Sequence, residues 1–552
     1  MLDVNLIKIY ETSFRNNREL TALTDYFKKE TFSYYEMAKE IAKIHMLLDK
    51  AKIKSGDKIA LLGRSNPRWC IAYLATITYG AVIVPILQDF NNNDIIHIIN
   101  HSESRLLFLG DNYWDVIEPE QVDGIEAVFS LTDFHCIFER EGHTLSKYQK
   151  GITKNYREKY PNGFSAEDIK YPDVPGDQVI LLNYTSGTTG YSKGVMLTVN
   201  NLTGNVQFAI DEKIYFRGSR ILSFLPLAHA YGCAFDFLCP MAEGTHVTLL
   251  GKIPAVKILM AAMQEVRPHM ICCVPLVLEK IYRKQIVPLL EKGPMRFALK
   301  IPLIDQAIYS TIRKKLLDVF GGEVGQFIVG GAAISPETES FLMKIRFPIT
   351  VGYGMTETAP LISYNYWTGF KPGSVGTYLK NYLEVKIDSP DPEHTAGEII
   401  VRGENVMKGY YKNDRATEEV LKNGWLHTGD IGTMDPDGTL YIRGRSKTMI
   451  LSGSGQNIYP EEIEAKLNNL YLVMESLVVE REGKLVALVY PDYETAQIEG
   501  VSDETIPEIM EKNLAELNTL VAPFERVASI VIYPTEFEKT PKKSIRRYLY
   551  QL

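Results

Sequence analysis

The first two thirds of the chain consist of short apolar runs separated by longer segments in which apolar residues recur with a helical period, as in Ala255–Val266. Apolar runs of this length, bounded by turn residues, are typical of strands buried in a largely parallel sheet. We therefore predict layered α/β structure, with buried strands at Lys58–Leu62, Ala81–Val84, Arg105–Leu109, Val179–Tyr184, Ile221–Leu225, His246–Leu250, Met270–Val274, Phe327–Val329 and Ile349–Val351.

The pattern changes near residue 375. Shorter, turn-rich segments such as Leu383–Ile387 and Glu398–Val401 follow, which indicates a distorted β-barrel subdomain. Together with the two layered α/β subdomains before it, this segment completes a large N-terminal domain, predicted to span residues 1–430.

The last segment has a different character again. Asp435–Gly438 has the sequence of a type I turn, and Val478–Val486 has the pattern of a hairpin. We predict a small, mobile α+β C-terminal domain over residues 431–552, joined by a connection short enough to act as a hinge.

One uncharged stretch, Trp69–Gln88, is long enough to suggest a transmembrane helix. However, Asn66 and Pro67 form a typical helix start, while Gly80 and Pro85 interrupt the run. A buried helix followed by a buried strand is the better interpretation, so no transmembrane segment is expected.

Composition narrows the class of protein. The net charge of −8 gives no electrostatic basis for nucleic acid as a partner. The six cysteines lie mostly in apolar runs without metal-ligand spacing, and the N-terminus lacks a secretory pattern. Reduced thiols in a cytoplasmic protein are therefore expected.

The segment Tyr184–Gly194 carries the strongest chemical signal. It holds five Ser and Thr side chains, three glycines and one lysine directly after an apolar run. Glycines let the backbone approach a ligand closely, and N–H and O–H groups donate to phosphate oxygens. Lys193 is not preceded by glycine or followed by Ser or Thr, so this is not the P-loop of kinases and GTPases. A flexible polar loop is the alternative, but the strand before it favours a nucleotide site.

Five further segments complete a set that occurs in the same order in a known family. They are Leu225–Gly232, Gly330–Ile334, Gly352–Thr358, Trp425–Ile431 and Tyr441–Lys447. With the loop, they resemble the adenylate-forming superfamily, which includes acyl-CoA synthetases, luciferases and peptide-synthetase adenylation domains. The resemblance extends from about residue 31 to residue 547.

This resemblance implies a nucleotide site. It assigns phosphate binding to the loop residues Thr185, Ser186, Gly187, Thr188, Thr189 and Lys193. It places the adenine ring near Gly331, Ala332, Tyr353 and Gly354, with Tyr353 stacking on the ring. Locally, Gly330–Ile334 would serve equally well as a tight turn into a helix that starts at Ser335–Glu337.

The remaining implied roles concern catalysis, ribose and metal. Thr356 would hydrogen-bond the α-phosphate, and Glu357 would hold Mg²⁺ through a hard oxygen ligand. Asp430 would accept hydrogen bonds from both ribose hydroxyls, and Arg445 would contact the ribose or phosphate. Lys447 falls at the hinge.

His229 resembles the residue that closes the carboxylate and acyl end of the pocket. A lone histidine in an apolar segment is also compatible with a hydrogen-bonded core residue.

The C-terminus departs from the family pattern. Aligning Thr540–Pro541 and Arg547 with the family places Ser544 where a catalytic lysine is expected. A desolvated cation at that position can contribute several kcal/mol, as oxyanion donors do. Lys543 could supply the charge after a one-residue shift, or the lysines here could form a solvated basic tail.

The resemblance is strongest to bacterial long-chain fatty-acyl-CoA synthetases, chiefly at Val274–Tyr282 and Ser452–Glu464. It implies a fatty acid, ATP and CoA as substrates and Mg²⁺ as the metal. Transient contact with the inner membrane surface during substrate pickup stays open. Two alternatives stay open: an acyl-AMP ligase that serves an acyl carrier protein, and a nucleotide-binding homologue with impaired adenylation.

Overall fold

The computed structural model describes residues 4–185, 192–251, 255–282, 286–290, 301, 304–451, 457–481, 483–540 and 545–550. Its helices, numbered in chain order, are α1 Leu6–Asn16, α2 Tyr34–Lys50, α3 Pro67–Tyr79, α4 Asn92–Ser102, α5 Leu145–Lys150, α6 Ile152–Lys159, α7 Val199–Asp211, α8 Ala230–Cys233, α9 Cys239–Ala242, α10 Val256–Val266, α11 Pro275–Ile281, α12 Val287–Leu290, α13 Ile304–Val319, α14 Pro336–Lys344, α15 Asp414–Val420, α16 Pro460–Leu467, α17 Tyr493–Glu499 and α18 Ile506–Leu520.

The strands are numbered in the same way. The first fourteen are β1 Thr21–Asp25, β2 Thr31–Ser33, β3 Lys58–Leu62, β4 Val82–Ile86, β5 Ser104–Leu109, β6 Ala127–Ser130, β7 Cys136–Glu139, β8 Val179–Thr185, β9 Lys193–Thr198, β10 Arg220–Ser223, β11 His246–Leu249, β12 Met270–Cys273, β13 Gln326–Val329 and β14 Ile349–Val351. The others are β15 Tyr353–Gly354, β16 Leu361–Tyr364, β17 Thr377–Tyr378, β18 Leu383–Asp388, β19 Gly397–Gly403, β20 Gly409–Tyr410, β21 Leu421–Lys422, β22 Trp425–Met434, β23 Leu440–Arg445, β24 Ile450–Leu451, β25 Asn457–Ile458, β26 Val473–Arg481, β27 Lys484–Pro491 and β28 Val527–Ile532.

Two large sheets form the main part of the molecule. One has eight strands in the order β20-β9-β8-β4-β3-β5-β6-β7, and the other has seven in the order β14-β13-β12-β10-β11-β1-β2. Their central strands are parallel. All nine buried strands predicted from the sequence are present, with ends within two residues of the predicted ones. The expected α/β layers are thus confirmed.

The uncharged stretch after Asn66 folds as a helix and a strand. The Asn66 side chain accepts a hydrogen bond from the Trp69 N–H at 2.9 Å and caps α3. Gly80 ends the helix with φ +88°, a conformation that favours glycine, and β4 follows. Among the helices in the described part of the chain, none has both the length and the apolar character needed to cross a membrane.

The turn-rich segment after residue 375 folds largely as an antiparallel sheet. Its path is β18-β19-β22-β21, and β23 pairs with β22. A shorter sheet, β15-β16-β17, precedes it along the chain. The predicted type I turn joins β22 to β23, with the Gly438 N–H donating to the Asp435 carbonyl at 2.9 Å.

A smaller domain follows, built on the sheet β26-β27-β28. The predicted hairpin is the antiparallel pair β26–β27, and β28 adds in parallel. One buried cluster runs from Leu6 to Leu440, whereas separate buried clusters lie between Ile458 and Tyr550. The large and small domains therefore have their own cores, while a boundary at residue 430 stays a prediction.

Candidate functional site

The hairpin β15–β16 carries four of the predicted site residues, Tyr353, Gly354, Thr356 and Glu357. It follows directly after β14, at the carboxyl edge of the seven-stranded sheet, where α/β proteins commonly bind ligands. Gly354 is required by the hairpin itself, because a Cβ there would lie 1.9 Å from the Pro360 carbonyl oxygen. A 3₁₀ turn, Thr356–Thr358, then buries the Thr356 and Glu357 side chains.

Asp430 lies at the centre of the predicted ribose site. The Tyr353 hydroxyl donates to Asp430 Oδ2 at 2.7 Å, and Arg445 Nε lies 3.0 Å from Asp430 Oδ1. The pairing of β22 with β23 sets Arg445 directly opposite Asp430. Three residues predicted from separate motifs are thus brought together.

Burial affects the protonation of the Asp430 carboxyl. Desolvation raises the pKa of the Asp430 carboxyl, while the Arg445 guanidinium and the Tyr353 hydroxyl oppose the rise. Arg445 is 65% exposed and Asp430 is only 6% exposed, so the arginine can move aside while the carboxylate stays fixed. A carboxylate held in this way can accept two hydroxyl groups of a ligand.

Glu357 forms a second buried carboxylate nearby. The Tyr410 hydroxyl donates to Glu357 Oε1 at 2.8 Å, and the Met407 N–H donates to the Glu357 carbonyl at 2.8 Å. Glu357 lies four residues after Tyr353 on the same hairpin, and its charge adds to the burial that raises the pKa of Asp430. The hairpin thus brings Glu357 close to the carboxylate that Tyr353 contacts.

The chemistry of Glu357 fits a magnesium ion that is held mainly by a ligand. Within the described residues, no group of three or more His, Cys, Asp or Glu side chains could hold a metal ion alone. Mg²⁺ is commonly bound by one or two carboxylates plus substrate phosphates, with waters completing the shell. One buried carboxylate beside the predicted phosphate loop meets that requirement.

The two ends of the predicted phosphate loop are held together by strand pairing. Thr185 ends β8 and lies opposite Lys193, the first residue of β9. Lys193 Nζ stands over the Tyr410 ring, 4.9 Å from its centroid. Ser186, Gly187, Thr188 and Thr189 lie outside the described residues, so their phosphate roles stay predictions.

The predicted adenine segment is a turn at the end of β13. Gly331 has φ +83°, and Gly331 and Ala332 are exposed. Ser335 caps the following helix α14, so the local explanation as a strand-to-helix turn is confirmed. Gly330 meets the ring of Tyr231, whose hydroxyl donates to the Ile328 carbonyl at 2.9 Å.

His229 has a capping function in this structure. It is the N-cap residue of α8, and its Nδ1 accepts a hydrogen bond from the Tyr231 N–H at 3.4 Å. Its predicted place at the acyl end stays a prediction.

Two site-region residues were not identified from the sequence, Tyr410 and Asp236. Asp236 lies in the π-helical turn Ala234–Leu238, which joins α8 to α9. It is 1% exposed, and its Oδ2 has no hydrogen-bond partner among the described residues. The available signal was that Asp236 is the only Asp, Glu, Lys or Arg residue from Leu225 to Ala242.

Burial raises the pKa of the Asp236 carboxyl to about 8. The groups that face it are Ser223 at the end of β10, Cys272 in β12 and the Leu225 backbone, and they oppose the rise only in part. The side chain is therefore a neutral acid at pH 7 and can donate a hydrogen bond.

Only some of the residues of the predicted C-terminal site lie within the described part of the chain. Lys543 and Ser544 lie outside the described residues. Arg547, which anchors their alignment, pairs with Glu464 and lies 3.5 Å from Glu461. Lys447 is exposed between β23 and β24, and its predicted hinge role stays a prediction.

Comparisons with known proteins identify the family of this chain. A family model described as "AMP-binding enzyme" matches residues 10–411. "Long chain acyl-CoA synthetase 7, peroxisomal" from Arabidopsis thaliana is 29% identical over an alignment of 558 positions that covers 92% of this chain and 77% of the relative. "Feruloyl-CoA synthase" from an Amycolatopsis species is 30% identical over 444 residues, and the match covers 79% of this chain and 77% of the relative.

The fold also matches solved structures. ATP-bound MatB from Rhodopseudomonas palustris superposes with a TM-score of 0.77 at 22% identity, over 99% of this chain and 98% of that protein. The resemblance inferred from the six motifs is confirmed.

Replacing Gly354 should destabilise the large domain. Gly354→Ala forces Cβ against the Pro360 carbonyl and should lower the free energy of unfolding by about 2 kcal/mol or more. Gly369→Ala is the matched control, because a Cβ there meets nothing within 4 Å. Urea denaturation followed by tryptophan fluorescence reports on this domain, since all four tryptophans precede residue 430. Equal effects of the two substitutions would contradict the geometry.

Asp236 should make stability fall as pH rises. Its folded pKa of about 8 exceeds the unfolded value, so between pH 4 and 8 the folded state holds a proton that the unfolded state releases. The loss from pH 5 to pH 8 should be on the order of 3 kcal/mol, and Asp236→Asn should remove it. Thermal unfolding against pH measures this, with the exposed Asp177→Asn as control. An unchanged slope in Asp236→Asn would show that the carboxyl does not titrate upon unfolding.

Proposed function

Because the chain belongs to the AMP-binding enzyme family, we propose that it is an ATP-dependent long-chain fatty-acyl-CoA synthetase. In the first step a carboxylate oxygen of the fatty acid attacks the α-phosphorus of ATP. The bond to the bridging oxygen breaks and pyrophosphate leaves, giving acyl-AMP. In the second step the CoA thiolate attacks the acyl carbonyl carbon, and AMP leaves with the electrons of the broken C–O bond.

The observation that carries this proposal is the convergence on Asp430. Tyr353 comes from the hairpin after β14 and Arg445 from the end of β23, yet both contact the same buried carboxylate. Glu357, from the same hairpin as Tyr353, acts electrostatically on Asp430. Such an arrangement suits a ligand that carries both a pair of hydroxyls and a metal-bound phosphate chain.

Each group then has a specific task. Asp430 accepts the ribose hydroxyls, and Tyr353 presents its ring to the adenine. The Thr356 hydroxyl donates to the α-phosphate, and the Lys193 ammonium acts as a point charge on the outer phosphates. Glu357 would hold Mg²⁺, and the bound ion would supply positive charge that favours the departure of pyrophosphate.

The proposal that the acid is a long-chain fatty acid rests on fewer observations than the proposed nucleotide site does. Long-chain acyl-CoA synthetases are among the relatives, and Val274–Tyr282 resembles that branch. The relative named feruloyl-CoA synthase favours an aromatic acid as the competing substrate class.

Two alternative functions are supported by specific features. A CoA thiol and the phosphopantetheine thiol of a carrier protein present the same nucleophile, so an acyl-AMP ligase for a carrier protein is the second candidate. Ser544, at the position of the family's catalytic lysine, favours a nucleotide-binding homologue with impaired adenylation.

The substrate proposal predicts acid-dependent ATP–pyrophosphate exchange. Exchange should be at least about tenfold faster with long-chain acids than with short ones, since each buried CH₂ contributes about 0.8 kcal/mol. Ferulate tests the competing class, and CoA and holo carrier protein are then offered as acceptors. Faster exchange with ferulate would reject the fatty acid, and transfer only to the carrier protein would reject the CoA acceptor. ATP binding without exchange with any acid would reject the enzyme.

We further predict that Lys543 provides the missing C-terminal cation. Lys543→Ala should lower exchange by about 100-fold, the usual cost of removing one charge-stabilising donor. Lys542→Ala is the neighbouring control and should leave exchange nearly unchanged. If Lys543→Ala has no effect while Ser544→Lys raises exchange strongly, the native chain lacks this cation.

A further inference from the structure

One aromatic ring, that of Tyr410, contacts two charged groups to which the proposed function gives separate tasks. Its hydroxyl donates to Glu357 Oε1 at 2.8 Å. Its face receives the Lys193 ammonium at 4.9 Å from the ring centroid. The ring itself is buried.

The backbone fixes this ring firmly. The strand β20 pairs antiparallel with β9, which sets Tyr410 opposite Val195. On either side the Lys408 N–H donates to the Met196 carbonyl at 3.0 Å, and the Tyr411 N–H donates to the Gly194 carbonyl at 2.8 Å. The ring therefore has little freedom to follow the charges that it contacts.

A further bond holds Tyr410 from the opposite side. Its own N–H donates to Thr417 Oγ1 at 2.9 Å. Because the exit strand of the phosphate loop and the Glu357 turn are both tied to residues 407–411, their separation is set by this short segment.

Lys193 and Glu357 carry opposite charges, which favour a direct ion pair between them, and the Tyr410 ring offers each charge another partner. Opposite charges in a partly desolvated site attract strongly, and a direct ion pair would have to break before metal and phosphate could bind. A phenol donor satisfies the carboxylate, and the ring face attracts the ammonium.

We propose that Tyr410 is a positioning residue that aims Glu357 at Mg²⁺ and Lys193 at the phosphates while keeping the two from pairing with each other. The inference rests on the proposed metal role of Glu357. Tyr410 itself touches neither substrate nor metal, so its effect must pass through these two side chains.

The test measures how much Mg²⁺ tightens ATP binding, by isothermal titration calorimetry without any acid substrate. Tyr410→Phe keeps the ring and removes the hydroxyl. It should reduce the Mg²⁺-dependent gain in ATP affinity by about tenfold, the usual size of a hydrogen bond to a charged group. ATP affinity without Mg²⁺ should change little. Tyr411→Phe is the matched control, because its hydroxyl donates to the exposed Glu103 at 2.8 Å.

A double-mutant cycle separates positioning from a general loss of structure. If Tyr410 acts through Glu357, the effect of Tyr410→Phe should vanish in the Glu357→Gln background. An effect of equal size in both backgrounds would overturn the inference. The inference would also be overturned if Tyr410→Phe kept the full Mg²⁺-dependent gain in ATP affinity while Glu357→Gln abolished it. The proposed function would still stand after that result.

Failure of the proposed metal role of Glu357 gives a different result, and so does failure of the proposed function, which would show as ATP binding without exchange with any acid. If Glu357→Gln keeps the full Mg²⁺-dependent gain, Glu357 is not the metal ligand, and both its proposed role and the positioning inference are rejected. Thermal unfolding of each variant, measured alongside, verifies that the compared proteins are folded.

Discussion

The site depends on two buried carboxylates, Glu357 and Asp430, that are each held by a tyrosine hydroxyl. Removing a carboxylate from water is costly unless it is hydrogen-bonded or paired. Tyr353 satisfies Asp430 and Tyr410 satisfies Glu357, at 2.7 and 2.8 Å. These bonds tie the hairpin after β14 to the sheet that contains β22 on one side and to β20 on the other. The cost of burial is offset by contacts that also fix the geometry of the site.

Another charged site residue, Arg445, is arranged around these carboxylates. Arg445 shares Asp430 but is largely exposed, so it adds charge without locking the site. It is the last residue of β23, directly before the exposed Ser446 and Lys447 that lead to the smaller domain. The Asp430–Arg445 pair thus lies next to the connection between the domains.

Much of the fold could be predicted from the sequence because its signals are local. Buried parallel strands are recognised by short apolar runs, and the Asn66 cap and Gly80 stop distinguish α3 from a membrane helix. The convergence of Tyr353, Asp430 and Arg445 was implied only by family resemblance. No periodicity could have placed β15 against β22.

The residues that were missed depend on long-range pairing. Tyr410 reaches Glu357 only because a two-residue strand joins the edge of a sheet whose partner strand lies far earlier in the chain. Asp236 stood out as the only charge in an apolar segment, but its burial depends on β10 and β12 packing beside it. Local composition reveals neither the contact of Tyr410 with Glu357 nor the burial of Asp236.

The central claim is that the groups around Asp430 and Glu357 form one adenylation site. A crystal structure with a non-hydrolysable acyl-adenylate analogue tests it most directly. We expect the ribose hydroxyls on the Asp430 carboxylate, the adenine against the Tyr353 ring and the phosphate-like group beside Thr356. A ligand bound elsewhere, with the Tyr353–Asp430–Arg445 contacts intact and no group on Asp430, would contradict the account.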